Sequence, residues 1–169
     1  MSTKMKWLLS LVLALATAIL MQWQGSKLKT AHTPLGIVSL ELTKNTDVFK
    51  QIMSIWDYAT VQTNIWIDFL FIPAYTFFFI QSLNSIMAKN RLNWVKSLGK
   101  KLMTLAWLAA ALDVIENIFM LSSIAGHYSA SSLYATATVA TCKFACIGFI
   151  ILYLIGSIPL LLFSPKVSK

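Results

Sequence analysis

Apolar and polar positions alternate along this chain in blocks rather than residue by residue. Four long apolar runs are separated by one extended polar segment and two short polar connections. The first run, Trp7 to Trp23, reads WLLSLVLALATAILMQW. The second lies within Thr60 to Ala88 and contains NIWIDFLFIPAYTFFFIQSLNSIM. The third extends from Leu102 to Ile124, and the fourth from Leu133 to about Phe163, before Ser164-Pro165. A spanning helix needs about 20 apolar residues, so each run is long enough to cross a bilayer. The pattern predicts an all-α protein, an integral membrane four-helix antiparallel bundle forming a single domain over 1–169. No internal repeat suggests inverted halves.

The polar segment, 24–58, is more than a linker. Thr33-Pro34 fits a helix cap followed by proline at the first helical position. Asn45-Thr46-Asp47 fits a second helix start, with an acidic first turn. Val48, Phe49, Ile52, Met53, Ile55 and Trp56 then form an apolar stripe at helical spacing. Two short amphipathic helices are expected, either folded over the outer mouth of the bundle or lying on lipid headgroups. The first apolar run follows MSTKMK and resembles a signal peptide at its start. It continues through Ile19, Leu20 and Met21, where a cleaved peptide would turn polar, so an uncleaved span is expected. The cleaved alternative stays open.

Composition narrows the function classes. The 169 residues are 57% hydrophobic and 12% charged, with mean hydropathy +0.70. Soluble domains carry about 25% charged residues, so this chain cannot cover a water-facing surface. The net charge of +8 does not indicate nucleic-acid binding, because the basic residues form short clusters between apolar runs. Nine of the fourteen Lys and Arg residues lie in the N-terminus, the 89–101 loop (KNRLNWVKSLGKK) and the C-terminal tail. Both termini are therefore expected in the cytoplasm, with 24–58 outside, in a bacterial inner (plasma) membrane. Cys142 and Cys146 match neither a redox nor a zinc pattern and are expected to be small buried packing residues.

Four charged residues interrupt the apolar runs: Asp68, Asp113, Glu116 and Lys143. A charge at mid-membrane costs about 2.5–3.5 kcal/mol on an insertion scale, so these side chains must face inward and find partners. Asp113, Glu116 and Asn117 share one helix face at i, i+3 and i+4, and Asn64, Asp68 and Tyr75 share another. At 1.5 Å per residue, Asp68 and Glu116 lie about 12 Å below the outer boundary, Lys143 about 15 Å and Asp113 about 16 Å. The charges are thus expected to meet at one level, with Tyr75 deeper, near the cytoplasmic half. An Asp113–Lys143 ion pair is the expected core. Three carboxyl groups against one ammonium imply that Asp113 or Glu116 holds a proton at neutral pH, with Asp68 and Glu116 sharing the remaining proton chemistry. A polar lock that only fixes helix register explains one acid–lysine pair but poorly explains two surplus acids.

The remaining residues add less. His127 and His32 read as incidental loop histidines. Pro73 fits either a kink that opens a cavity or simple tolerance. The six tryptophans mostly fall near the expected interfaces. No cofactor or metal pattern appears, and HxxxH, GxSxG, Walker and CxxC motifs are absent from the sequence.

At TPLGIVSLEL, IDFLFIPAY and ALDVIEN the sequence resembles a group of small, functionally uncharacterised bacterial four-span membrane proteins, over most of Thr33 to Tyr153. That resemblance implies architecture and no mechanism. More loosely, it is similar in fold to the EXPERA-type bundles of sterol isomerases and the sigma-2 receptor, which place membrane acids around a pocket for cationic amphiphiles. The acid, proline and tyrosine of Asp68, Pro73 and Tyr75 carry that similarity; Asp113 and Glu116 do not fit it.

Three functions follow as expectations. The first is an outward-facing buried acidic pocket for a small amphiphilic or cationic ligand, associated with transport. Asp68, Asp113 and Glu116 would accept the positive end, Lys143 would set their protonation, and Phe71, Tyr75 and Phe119 would line the apolar side. The second is an intramembrane acid–base enzyme acting on a lipid or isoprenoid, with Glu116 as donor and Asp113 as acceptor. The third is a structural or assembly subunit. Membrane lipid is the expected surrounding partner, nucleic acid is not expected, and the oligomeric state is open.

Overall fold

The computed structural model describes residues 2–90 and 92–162 and is all-helical, with no strand among them. Its helices are α1 (Thr3–Gln24), α2 (Ile37–Glu41), α3 (Thr46–Ile55), α4 (Tyr58–Lys89), α5 (Asn93–Ile124) and α6 (Ala130–Leu162). Among the described residues four helices, α1, α4, α5 and α6, are long and apolar enough to cross a membrane. The chain is therefore a multi-pass membrane protein built as a four-helix bundle. The expected stop at Ser164-Pro165 and the basic residues Arg91, Lys166 and Lys169 lie outside the described residues.

The bundle is uneven. α4 packs on α1 and α5, and α5 packs on α6, so α1 lies against one side of an α4–α5–α6 core. Only Ser10 and Ala14 of α1 are buried, both small enough to bring the helix close to α4. Trp7 Nε1 donates to Ser82 Oγ at 2.9 Å, and Asn64 Nδ2 donates to Met21 O at 3.0 Å and to Gln24 Oε1 at 2.7 Å. α1 ends at Gly25, where a Cβ would lie 2.6 Å from Asn64 Nδ2.

The third span starts earlier than the charge pattern predicts. Lys89–Lys101 is not a loop: Asn93–Lys101 continues α5, and only residues 90–92 separate it from α4. A 32-residue helix is about 48 Å long, against about 30 Å of hydrocarbon. The surplus turns reach past the apolar layer, where Lys96, Lys100 and Lys101 tolerate helix as well as loop.

The polar segment folds over the opposite end of the bundle. Asn45 caps α3 as expected, its Oδ1 accepting from Asp47 N at 2.7 Å and Val48 N at 3.3 Å. Asp57 caps α4, and hydrogen bonds from the Thr60 hydroxyl and amide hold its carboxyl below the usual range. Thr33, however, is not a helix cap. α2 begins later, after Gly36, whose φ of 61° favours glycine. Pro34 instead follows Thr33 in a turn closed by Gly36 N donating to Thr33 O at 3.0 Å. The buried Thr33 hydroxyl donates to Leu28 O at 2.8 Å and accepts from Trp56 Nε1 at 3.3 Å. Trp56 is thereby turned inward, away from any interfacial belt. Of the α3 stripe, Phe49 and Ile52 are buried, whereas Val48 and Ile55 are exposed.

Two apolar cores result. One joins Phe49, Ile52 and Trp56 to Ile65, Met120 and Leu133 near the covered end. The other joins Tyr75, Phe79 and Leu83 to Leu102, Ala106 and Ile150 near the basic end. Along α4, α5 and α6, the intramembrane charges fall between these cores.

Candidate functional site

Lys143 is the centre of the polar layer. α6 carries it inward, 5% exposed, between buried Ala140 and Cys146. Its Nζ donates to Asp113 Oδ1 at 2.9 Å and lies 2.8 Å from Glu116 Oε2. The third carboxylate is Glu41 of α2, with Oε2 at 3.5 Å. The ammonium also sits 4.6 Å from the Phe144 ring centroid, within cation–π range.

α5 supplies two of these carboxylates because its i, i+3 spacing puts Asp113 and Glu116 on one face. Asn117 follows on the same face and is fully buried, as is Glu116. Both oxygens of Asp113 are occupied: Oδ2 accepts from the Tyr75 hydroxyl at 2.9 Å. Asn117 Nδ2 donates to Asp68 Oδ2 at 2.7 Å, which links Asp68 to the layer from α4.

Of the residues singled out in the sequence, the structure brings Asp113, Glu116 and Lys143 into contact, with Asn117 buried on the same face of α5. Asp68 is partly buried and joins through Asn117 rather than by direct contact with Lys143. Tyr75 is not confined to a deeper level; its side chain spans the offset and reaches Asp113. Asn64 does not belong to the group. It shares a helix face with Asp68, but four residues carry it nearer the helix end, where α1 is the neighbour. Phe119 is 36% exposed, while Phe71 packs on Tyr75 with centroids 5.2 Å apart. Cys142 is exposed and only Cys146 is buried. Four residues advance a helix about 40° beyond a full turn, enough to move one thiol off the packed face. His32 and His127 are exposed in loops.

Glu41 is the residue that the sequence reading missed. An acid in a polar segment carries no insertion penalty and raises no signal. The surrounding apolar stretch LGIVSLEL was the available clue, since Leu40 and Glu41 are both buried. Burial pushes the Glu41 carboxyl above the usual range, outweighing the nearby Lys143 charge. Lys44, just after α2, lies 5.2 Å from the ring centroid of Tyr134 on α6.

Three carboxyl groups thus gather around one ammonium, with Asp68 linked to them through Asn117, and hydrogen bonding inside the layer is incomplete. Glu116 Oε1 and Asn117 Oδ1 are buried and have no hydrogen-bond partner among the described residues. Glu116 Oε2 and Glu41 Oε2 approach the ammonium without hydrogen-bond geometry. Glu41, Asp113, Glu116 and Lys143 are all buried in the layer beneath α2. A groove of about 350 Å³ lies beside Pro73 and Trp107 on the outer face of α4 and α5. Such an arrangement can hold a proton between carboxyl groups, bind a cation, or fix the helices in register.

Comparison with models of protein families, with curated proteins and with solved structures returns no match.

Proposed function

We propose that this is a bacterial inner-membrane protein that binds a small cationic or amphiphilic ligand in the acidic layer beneath α2. Its termini would lie in the cytoplasm and the 24–58 segment outside, following the distribution of Lys and Arg. One observation carries the binding reading: Glu116 Oε1 is fully buried and unpartnered beside an ammonium already held by three carboxylates. A buried acceptor left unsatisfied costs about 1–3 kcal/mol. A lock evolved only for stability needs neither that oxygen nor three acids around one lysine. The Lys143 ammonium would hold the place that a ligand's positive end takes, while Phe71 and Tyr75 offer apolar surface beside it. Entry would require α2 to swing away about Gly36. The resemblance to bundles that hold cationic amphiphiles agrees with this reading, and a role in transport fits it.

The burial of Glu41, Asp113, Glu116 and Lys143 favours a second reading, in which the charges only lock α2, α5 and α6 together. Thermal melting in a nonionic detergent separates the two. Dodecylamine should raise the melting midpoint of the wild-type protein, whereas dodecanol should not. Glu116→Gln should abolish the shift, and Asp68→Asn at the edge of the layer should reduce it if the first variant does not fold. Equal shifts with amine and alcohol, or none with either, would support the lock.

A further inference from the structure

The far end of the bundle carries a second feature, unrelated to the acidic layer. A groove of about 690 Å³ lies between the start of α1 and the end of α4. Lys4 stands on one wall and Lys89 on the other, both exposed. Thr3 and Ser85 also line it, and among the described residues no acidic one does. Trp7, Leu8 and Ala88 form its apolar side. Trp7 is held in place by its bond to Ser82 and by Phe78, whose ring centroid is 6.2 Å away.

The start of α1 adds to the positive character. Ser2 accepts from Met5 N through its side chain and from Lys6 N through its carbonyl. The N–H groups of Thr3 and Lys4 have no acceptor within their own helix, and the helix dipole places partial positive charge at this end. Cations from two helices therefore meet at the rim of an apolar groove, at the end of the bundle where hydrocarbon gives way to headgroups. Lys89 and Lys4 suit a phosphodiester monoanion, and the Trp7–Leu8–Ala88 side suits the first part of an acyl chain.

We infer that this groove binds the headgroup of an anionic phospholipid of the surrounding bilayer. Basic pockets between transmembrane helices take such headgroups. The bilayer supplies this anion with an attached chain, which the apolar side of the groove requires and free phosphate lacks. The site would fasten α1, the least buried span, to α4 at the end opposite the Asn64 contacts.

The test uses the full chain in nonionic detergent, with native mass spectrometry and thermal melting as readouts. Dioleoyl phosphatidylglycerol should be retained and should raise the melting midpoint, while dioleoyl phosphatidylcholine and inorganic phosphate should do neither. Lys4→Gln/Lys89→Gln should weaken phosphatidylglycerol binding about thirty-fold, the worth of two basic contacts at a membrane surface. Lys100→Gln/Lys101→Gln removes the same charge at the same end and should leave binding within about threefold, as for charges outside the site. Melting without lipid checks that both variants fold. Equal weakening in the two variants, equal retention of phosphatidylcholine, a response to inorganic phosphate alone, or no retention of phosphatidylglycerol would each overturn the inference.

Discussion

Glu41 Oε2, on a five-residue helix in the polar segment, reaches within 3.5 Å of Lys143 Nζ in the interior of α6. This contact makes α2 a strap across the acidic layer. Glu41→Ala, which removes the side chain that makes the contact, should loosen it. Amide hydrogen exchange should rise across 36–44, while α4, α5 and α6 keep their protection. Exchange that rises uniformly through the bundle would show that Glu41 supports the whole fold instead.

The strap should also respond to pH. Burial raises the Glu41 carboxyl above its ordinary value of 4.5 in the folded protein. Lys143, Glu116, Asp113 and Asp68 are the charged groups that act on it. A folded-state value above the unfolded one means that the docked strap binds the proton more tightly. Its contribution is complete below pH 4.5 and declines as pH rises through the raised value. Exchange across 36–44 should therefore accelerate with pH more than the intrinsic rate does. In Glu41→Gln that excess should vanish.

Removing the ammonium should be severe. Lys143→Met leaves Asp113 and Glu116 buried without their counter-charge, and breaking a buried pair costs about 3–5 kcal/mol. Adding Asp113→Asn should restore part of that loss, so the double variant should be more stable than the sum of the singles. Denaturant unfolding in detergent measures both effects. Additive losses would show that the two residues do not act as a unit.

Tyr75 supplies the second hydrogen bond to Asp113. Tyr75→Phe keeps the ring contacts with Phe71 and Phe79 and removes only the hydroxyl. The expected loss is about 1.5–3 kcal/mol, the range for a hydrogen bond to a charged group. A loss below about 0.5 kcal/mol, less than a neutral hydrogen bond, would mean that Asp113 Oδ2 finds another donor.

Gly25→Ala should free α1 without touching the acidic layer. The added Cβ would lie 2.6 Å from Asn64 Nδ2 and displace the amide that holds Met21 O and Gln24 Oε1. Faster exchange at the end of α1 is expected, with Lys143 and its partners unchanged. If α1 keeps its protection, the Asn64 anchor is not what holds it.

The four spans were legible because apolar runs of this length have few other uses. The Asp113–Glu116–Lys143 group was legible for a related reason: each charge is costly where it stands, and helical spacing allows few partners. Glu41 and the helical start of α5 were not, since acids and lysines outside the hydrocarbon are equally comfortable in loop or helix. Asn64 shows the limit of reasoning from a shared face. Periodicity gives the direction of a side chain, but the neighbour at that height is α1, which only the packing reveals. Thr33 shows the same limit locally, because a threonine before proline suits a turn as well as a cap.

Binding of an amine in the layer should be visible at Lys143 itself. In protein labelled with nitrogen-15 at lysine, the Lys143 side-chain signal is the one absent from Lys143→Arg, which keeps the positive charge. On titration with dodecylamine it should shift and saturate, while dodecanol leaves it in place. A Lys143 signal unchanged at dodecylamine concentrations that saturate the detergent would contradict the proposed ligand site and leave the layer as a structural lock.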